Sequence, residues 1–241
     1  FTGSYANVPL GCNPANPSGS LGTATAADAC GAITITSSDG SVVSTGCGRS
    51  QTRTFTARDA CNNTATRSRT VTWTDDQTPP TITCPTSPQV FCQVTSNNYS
   101  IPAATATDNC TGTITFNWVK SGATTGSGTG ATPNSTYNVG STTITYTATD
   151  ACGNTSTCAT TVTINPLPPA CVGSNQTICI GNSATIGCAA VPGNTYSWTS
   201  NPAGFTSTSS NLTVSPTVTT TYTLTETITA TGCARTQSVV V

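Results

Sequence analysis

The chain has 241 residues, a net charge of −1 from seven basic and eight acidic side chains, no histidine, and only 6% charged and 6% aromatic residues. That balance leaves no basic footprint for nucleic acid or anionic lipid, and no run approaches the roughly 20 apolar residues of a membrane span, so membrane insertion is not expected. With no histidine and a single glutamate, Glu226, neither a Ser-His-Asp constellation nor a glutamate pair can be assembled, and the sequence reads as non-enzymatic.

Ser and Thr make up about a third of the chain, which by composition alone suggests disorder. Against that, the Thr alternates strictly with Val, Ile, Tyr and Ala, the period of a half-buried strand. Thirteen cysteines supply what a small, aromatic-poor core lacks, at about 2–4 kcal/mol per disulfide. They imply an oxidising compartment, so the expected location is secreted, extracellular or cell surface. No signal peptide is present, and a mature or trimmed segment is expected.

In chain order, a first domain covers 1–79, with strands expected near 21–26, 32–37, 41–44, 52–57 and 64–73 and a weak opening stretch, 1–16. Its last two strands carry the pattern TFTARDACNNTATRSRTVTW. A linker, Thr-Asp-Asp-Gln-Thr-Pro-Pro at 74–80, precedes a second domain at 80–166. Its strands are expected near 81–84, 98–102, 112–119, 135–138, 141–149 and 155–164, with a flexible Gly/Thr loop at 122–132. Here the first pattern returns as TYTATDACGNTSTCATTVTI, with Tyr146 for Phe55, Asp150 for Asp59, Cys152 for Cys61 and Val162 for Val71. The chain is thus a tandem repeat. After Pro166-Leu167-Pro168-Pro169, a third domain at 167–241 departs from it, with strands near 176–180, 183–188, 195–199, 211–215, 220–229 and 235–241. Five to seven short strands per unit and no helix suggest sandwiches.

The motifs Thr78-Pro79-Pro80, Ile82-Thr83-Cys84-Pro85, Thr107-Asp108-Asn109-Cys110, Tyr137-Asn138-Val139-Gly140 and Thr149-Asp150-Ala151-Cys152-Gly153-Asn154, followed by Cys158, resemble the hyalin repeat (HYR) family. That resemblance implies an immunoglobulin-like fold and an extracellular, adhesive setting. The first domain looks like a divergent relative, lacking the Cys-Pro entry and carrying Arg67 where the late strand cysteine stands. The third, with Gln176-Thr177-Ile178-Cys179, Tyr196-Ser197-Trp198 and Thr221-Tyr222-Thr223-Leu224, is similar to the PKD-like or immunoglobulin-like modules of Bacteroidetes secreted surface proteins. The expected fold is all-β: three tandem immunoglobulin-like β-sandwich domains, disulfide-stapled and arranged as a rod.

Corresponding corners suggest Cys30–Cys61 and Cys110–Cys152, with Cys12–Cys47 completing the first domain. In the third, turns at one end suggest Cys179–Cys233 and those at the other Cys171–Cys188. The second domain has five cysteines: either Cys84–Cys158 forms and Cys92 is a free thiol, or Cys92–Cys158 forms and Cys84 is free. No tight Cys-x-x-Cys pair or histidine supports a metal instead, so no cofactor is expected. The exception is calcium, for which Asp75, Asp76, Asp59, Asp108 and Asp150 offer oxygen ligands, although Asp also closes turns on its own.

Sequons stand at Asn62, Asn98, Asn109, Asn134, Asn154, Asn175 and Asn211, and the exposed Thr and Ser suit O-linked sugar. Arg49, Arg53, Arg58, Arg67 and Arg69 cluster in the first domain, read as the solvent face of paired strands, with a phosphate or sulfated-glycan patch as the rival.

The expected function is a non-enzymatic structural and adhesive protein, either the protomer of a head-to-tail surface filament or a segment of a long surface adhesin. A poor first strand opening at Phe1 and an apolar last strand ending Val239-Val240-Val241 suggest head-to-tail strand addition between copies. Truncation of a longer array is the rival explanation. The alternatives are a glycan-binding module, reading surface glycans through Trp118, Trp198 and Tyr196, and an accessory region of a secreted enzyme.

Overall fold

The computed structural model describes residues 1–29 and 31–241. The described chain is all-β apart from one 3-10 turn, Pro17–Leu21, and all its named strands lie between Thr81 and Val240. The central segment carries β1 (Thr81–Thr83), β2 (Gln89–Cys92), β3 (Asn98–Tyr99), β4 (Thr105–Thr107), β5 (Thr115–Gly122), β6 (Gly126–Thr129), β7 (Ser135–Thr136), β8 (Gly140–Thr149) and β9 (Thr155–Asn165). The last segment carries β10 (Ala184–Gly187), β11 (Asn194–Asn201), β12 (Thr206–Ser207), β13 (Asn211–Val214), β14 (Thr221–Ile228) and β15 (Ala234–Val240).

In the central segment a five-stranded sheet runs β2-β9-β8-β5-β6, with the short pairs β1-β4 and β3-β7 set apart from it. The hairpin β8-β9 is its spine. Ile144, Tyr146 and Ala148 on β8, and Val162 and Ile164 on β9, are buried, while the interleaved Thr143 and Thr145 face water, which is what period-two patterning over one core requires. Tyr99, Ile101, Ala104 and Tyr137 close that core from the other side. At the sheet's edge β2 runs parallel to β9, from Gln89 opposite Val162 to Cys92 opposite Asn165.

The last segment repeats the plan with a four-stranded sheet, β12-β11-β14-β15, and the pair β10-β13. Trp198, Leu224, Ile186 and Val239 sit fully buried between them.

Two expectations for these segments are corrected. The stretch 122–132 is not a free loop, because β6 pairs with β5 and sets Gly128 opposite Trp118. A Cβ on Gly128 would lie 2.5 Å from Trp118 Cζ2, so the glycine makes room for the indole. The stretch 176–180 forms no strand. The Asn175 side chain accepts from Val240 N–H at 3.0 Å, and only Gln176 N–H returns to Val240 O, at 2.9 Å, so one side-chain bond displaces the ladder.

In the first segment the five expected strands are absent among the described residues, where the 3-10 turn and a bridge, Thr45 to Cys47, are the regular features. Among the described residues the segment buries four apolar side chains, Leu21, Phe55, Ala57 and Val71. Thr52, Thr54, Phe55, Thr56 and Ala57 take positive φ, outside the extended region a ladder needs. Threonine hydroxyls satisfy carbonyls instead, Thr66 to Phe55 O and Thr64 to Ala57 O. No helix among the described residues is long and apolar enough to cross a membrane.

Candidate functional site at the segment junctions

The Asp-x-Cys corners share one local geometry. Asp59, Asp108 and Asp150 each accept the N–H of the cysteine two residues on, Cys61, Cys110 and Cys152, the last at 2.7 Å. This side-chain turn fixes where each cysteine points, and two of the three thiols are aimed across a segment boundary.

At the first junction Cys12 bonds Cys110 and Cys47 bonds Cys152, closing loops of 98 and 105 residues. The expected pairs Cys12–Cys47 and Cys110–Cys152 are therefore corrected: the two central corners face the first segment rather than each other. Around these bonds Asp75 N–H donates to Cys47 O at 2.9 Å, and its carboxylate pairs with Arg49. The hydrogen bond from Arg49 holds Asp75 below the usual carboxylate range, against the opposing effect of burial. For Asp150 burial pushes upward, but hydrogen bonds from the Asn154 side chain and from the Asn154, Cys152 and Gly153 backbone outweigh it and leave the group low. Asn154 also donates to Asp76 O at 3.2 Å, tying the linker to the β8-β9 turn.

One stretch, residues 75–164, takes in this linker, both central corners and all nine strands up to Ile164, and it matches the model of a known family. That family is the HYR domain. Among solved structures the similarity is distant. The Bacteroides ovatus mixed-linkage glucan utilization locus protein SGBP-B, solved with a mixed-linkage heptasaccharide, is 14% identical at a TM-score of 0.29, covering 69% of this chain and 47% of its own. Mouse cadherin-23 EC22-24 is 14% identical at 0.28, covering 80% and 73%. The human desmocollin-1 ectodomain is 12% identical at 0.28, covering 80% and 43%, so the chain spans less than half the length of the first and third of these. No curated protein matches the chain by sequence.

Within the HYR stretch Cys84 bonds Cys158, joining the end of β1 to β9. Cys92 is not a free thiol: it bonds Cys233, in the turn between β14 and β15, across 141 residues, so Cys179–Cys233 does not form. The reason is position, because β2 ends at Cys92 on the side where the HYR strands hand over to the last segment. Cys171 bonds Cys188. Cys179 and Cys61 are exposed and free; the expected partner of Cys61, Cys30, lies outside the described residues.

The second junction has one feature with no sequence signal beyond rarity. Glu226 is 1% exposed; it accepts the Ala170 N–H at 2.6 Å and the Asn194 side-chain amide at 2.7 Å. The carboxylate thus anchors the proline linker leaving the HYR domain.

The other candidates divide. Val239 and Val241 lie in the last segment's own core, and β15 is paired along β14, so this end is not a spare strand. Val240 is half-buried, as is Phe1, which packs edge-on against Tyr5. Trp198 is fully buried with its indole N–H donating to Ser209 O at 2.9 Å, a core anchor rather than a sugar platform. Trp118 and Tyr196 are half-buried. Asn62, Asn98, Asn109, Asn134, Asn175 and Asn211 are exposed, whereas the Asn154 amide is spent on Asp150 and Asp76. Four of the five clustered arginines meet neighbouring groups, Arg49 to Asp75, Arg53 to Asp39 at 3.2 Å, Arg58 to Asn62 and Arg69 to Ser20 O, while Arg67 is exposed.

Proposed function

We propose that the chain is a non-enzymatic part of an extracellular structural and adhesive protein, built as three tandem units at about 1–79, 80–166 and 167–241 in a rod, the second and third immunoglobulin-like. The observation that carries this reading is that, among the described residues, three of the five disulfides bridge segments, Cys12–Cys110, Cys47–Cys152 and Cys92–Cys233. A module that only needed its own core stapled has no use for bonds across its boundaries. The HYR match supports the extracellular adhesive setting, and the disulfides support an oxidising one. The only glutamate is committed to holding Ala170 and Asn194, which leaves it unavailable as a general acid or base.

Between the two forms of this function, the pairing of β15 within its own sheet favours a segment of a longer surface adhesin over a filament made by a donated strand. Electron microscopy of the purified, oxidised, untagged chain tests this. Isolated rods of constant length at high concentration are expected. Continuous fibres would establish a filament protomer instead, and beads at variable angles would remove the rod.

A further inference from the structure

At the first junction two carboxylates come together and a third lines the same cavity, without a cation to balance them. Asp76 is 4% exposed; its Oδ1 accepts from Thr78 N–H at 3.1 Å and from the Asn109 amide at 3.4 Å, while its Oδ2 is buried with no donor. Asp108 gives one oxygen to Cys110 N–H and leaves Oδ1 buried and unpartnered. A carboxylate oxygen of Asp150 lies within 4.8 Å of one from Asp76. All three side chains line one cavity of about 20 Å³, closed further by Gly112 and Ala151. A space of that size holds about one water molecule or ion. Among the described residues the ion pairs are Arg49–Asp75 and Arg53–Asp39, and neither reaches these three carboxylates.

We propose that this cavity is a divalent cation site of the hard, oxygen-ligated class, in which Asp76 and Asp150 bind calcium directly and Asp108 adds its charge from the cavity wall, locking the linker to the HYR corners. Its two unpartnered, buried oxygens have no donor that competes with such an ion. The adjacent sulfurs of Cys12, Cys110, Cys47 and Cys152 are all in disulfides, so no thiolate is present to select a soft metal. The cavity also has no room for the several waters that magnesium keeps, whereas calcium accepts crowded carboxylates and irregular geometry. Each aspartate comes from a different element: the linker, the corner after β4, and the β8-β9 turn. Binding therefore joins three pieces of backbone at once.

The test uses the full oxidised chain, stripped with a chelator and titrated with calcium by calorimetry, beside thermal melts with and without the ion. One calcium per chain is expected, with a dissociation constant on the order of 10⁻⁴–10⁻³ M as for extracellular modules, and a melting temperature that rises with calcium. Asp76→Asn and Asp108→Asn are each expected to weaken binding about tenfold or more, since affinity follows the count of charged ligands; Asp59→Asn, at the homologous corner of the first segment, leaves it unchanged. Circular dichroism of each variant separates lost binding from lost folding, and with either one folded the comparison stands. Absence of stoichiometric binding at millimolar calcium, or binding in both site variants as tight as in the unsubstituted chain, overturns the proposal. So does a melting temperature that calcium leaves unchanged.

Discussion

The two junctions of this chain bury carboxylates to opposite ends. At the second, both oxygens of Glu226 meet a donor, Ala170 N–H and the Asn194 amide, and one disulfide completes the joint. At the first, two disulfides close the joint, yet Asp76 and Asp108 each keep a buried oxygen without a partner. An unsatisfied buried acceptor costs about 1–3 kcal/mol, more when charged. The lesson is that covalent closure and polar satisfaction are separate requirements: the second junction meets both from its own residues, while the first meets the covalent one and leaves its oxygens open.

Removing disulfides tests this contrast most strongly. Replacing Cys92 and Cys233 with Ala releases the single bond of the second junction, a 141-residue loop, and is expected to cost about 3–5 kcal/mol in urea unfolding. Replacing Cys47 and Cys152 leaves Cys12–Cys110 in place, so the loss should be smaller, about 2–3 kcal/mol. Equal losses would show that the two bonds of the first junction act independently and break the comparison.

An effect smaller than that of opening Cys92–Cys233 is expected at Glu226. Glu226→Ala strips a buried N–H of its acceptor and opens a void, costing about 2–4 kcal/mol. Glu226→Gln should cost about 1 kcal/mol or less, because the Asn194 amide can turn to accept from the new amide. A Gln variant as unstable as the Ala variant would mean that the charge, rather than the pair of hydrogen bonds, holds the linker.

The smallest effect is that of pH. Asp75 and Asp150 are held below the usual carboxylate range in the folded chain, so their stabilisation is present above that range and is lost as pH falls through their folded values. The melting temperature should therefore decline in acid, and Asp150→Asn should make the decline shallower. An unchanged slope would move the acid sensitivity away from the first junction.

Much of this architecture was legible from alternation alone. The hairpin 145–164 shows why: Tyr146, Ala148 and Val162 are buried where the period places them. Its repeat buries the equivalent Phe55, Ala57 and Val71, yet forms no ladder. Periodicity reports which side chains turn inward, whereas hydrogen-bonded pairing depends on neighbouring strands that the first segment does not supply. Short strands such as β2, β4 and β12 escaped because two to four residues carry too little period to read. Corner positions point to Cys84–Cys158 and Cys171–Cys188, but spacing along the chain says nothing about which end of a unit meets its neighbour, so the three bonds between segments are not legible in it. Glu226 was visible only as the sole glutamate; its burial follows from the register that sets it opposite Arg235 and next to the linker.

The parallel strand β2 delivers Cys92 to one end of the HYR domain while Cys110 sits at the other. Tension applied between the two termini would therefore travel by a short covalent path: from Phe1 to Cys12, across to Cys110, back along the chain to Cys92, across to Cys233 and out to Val241. That path spans roughly 130 Å at full stretch, against roughly 820 Å for the uncrosslinked chain. Only β15 and the short strands β3 and β4 lie on that path; the other strands lie off it. A pulled molecule would act as a nearly inextensible tether, giving up its hidden length only after a thiol reductant opens the bridges.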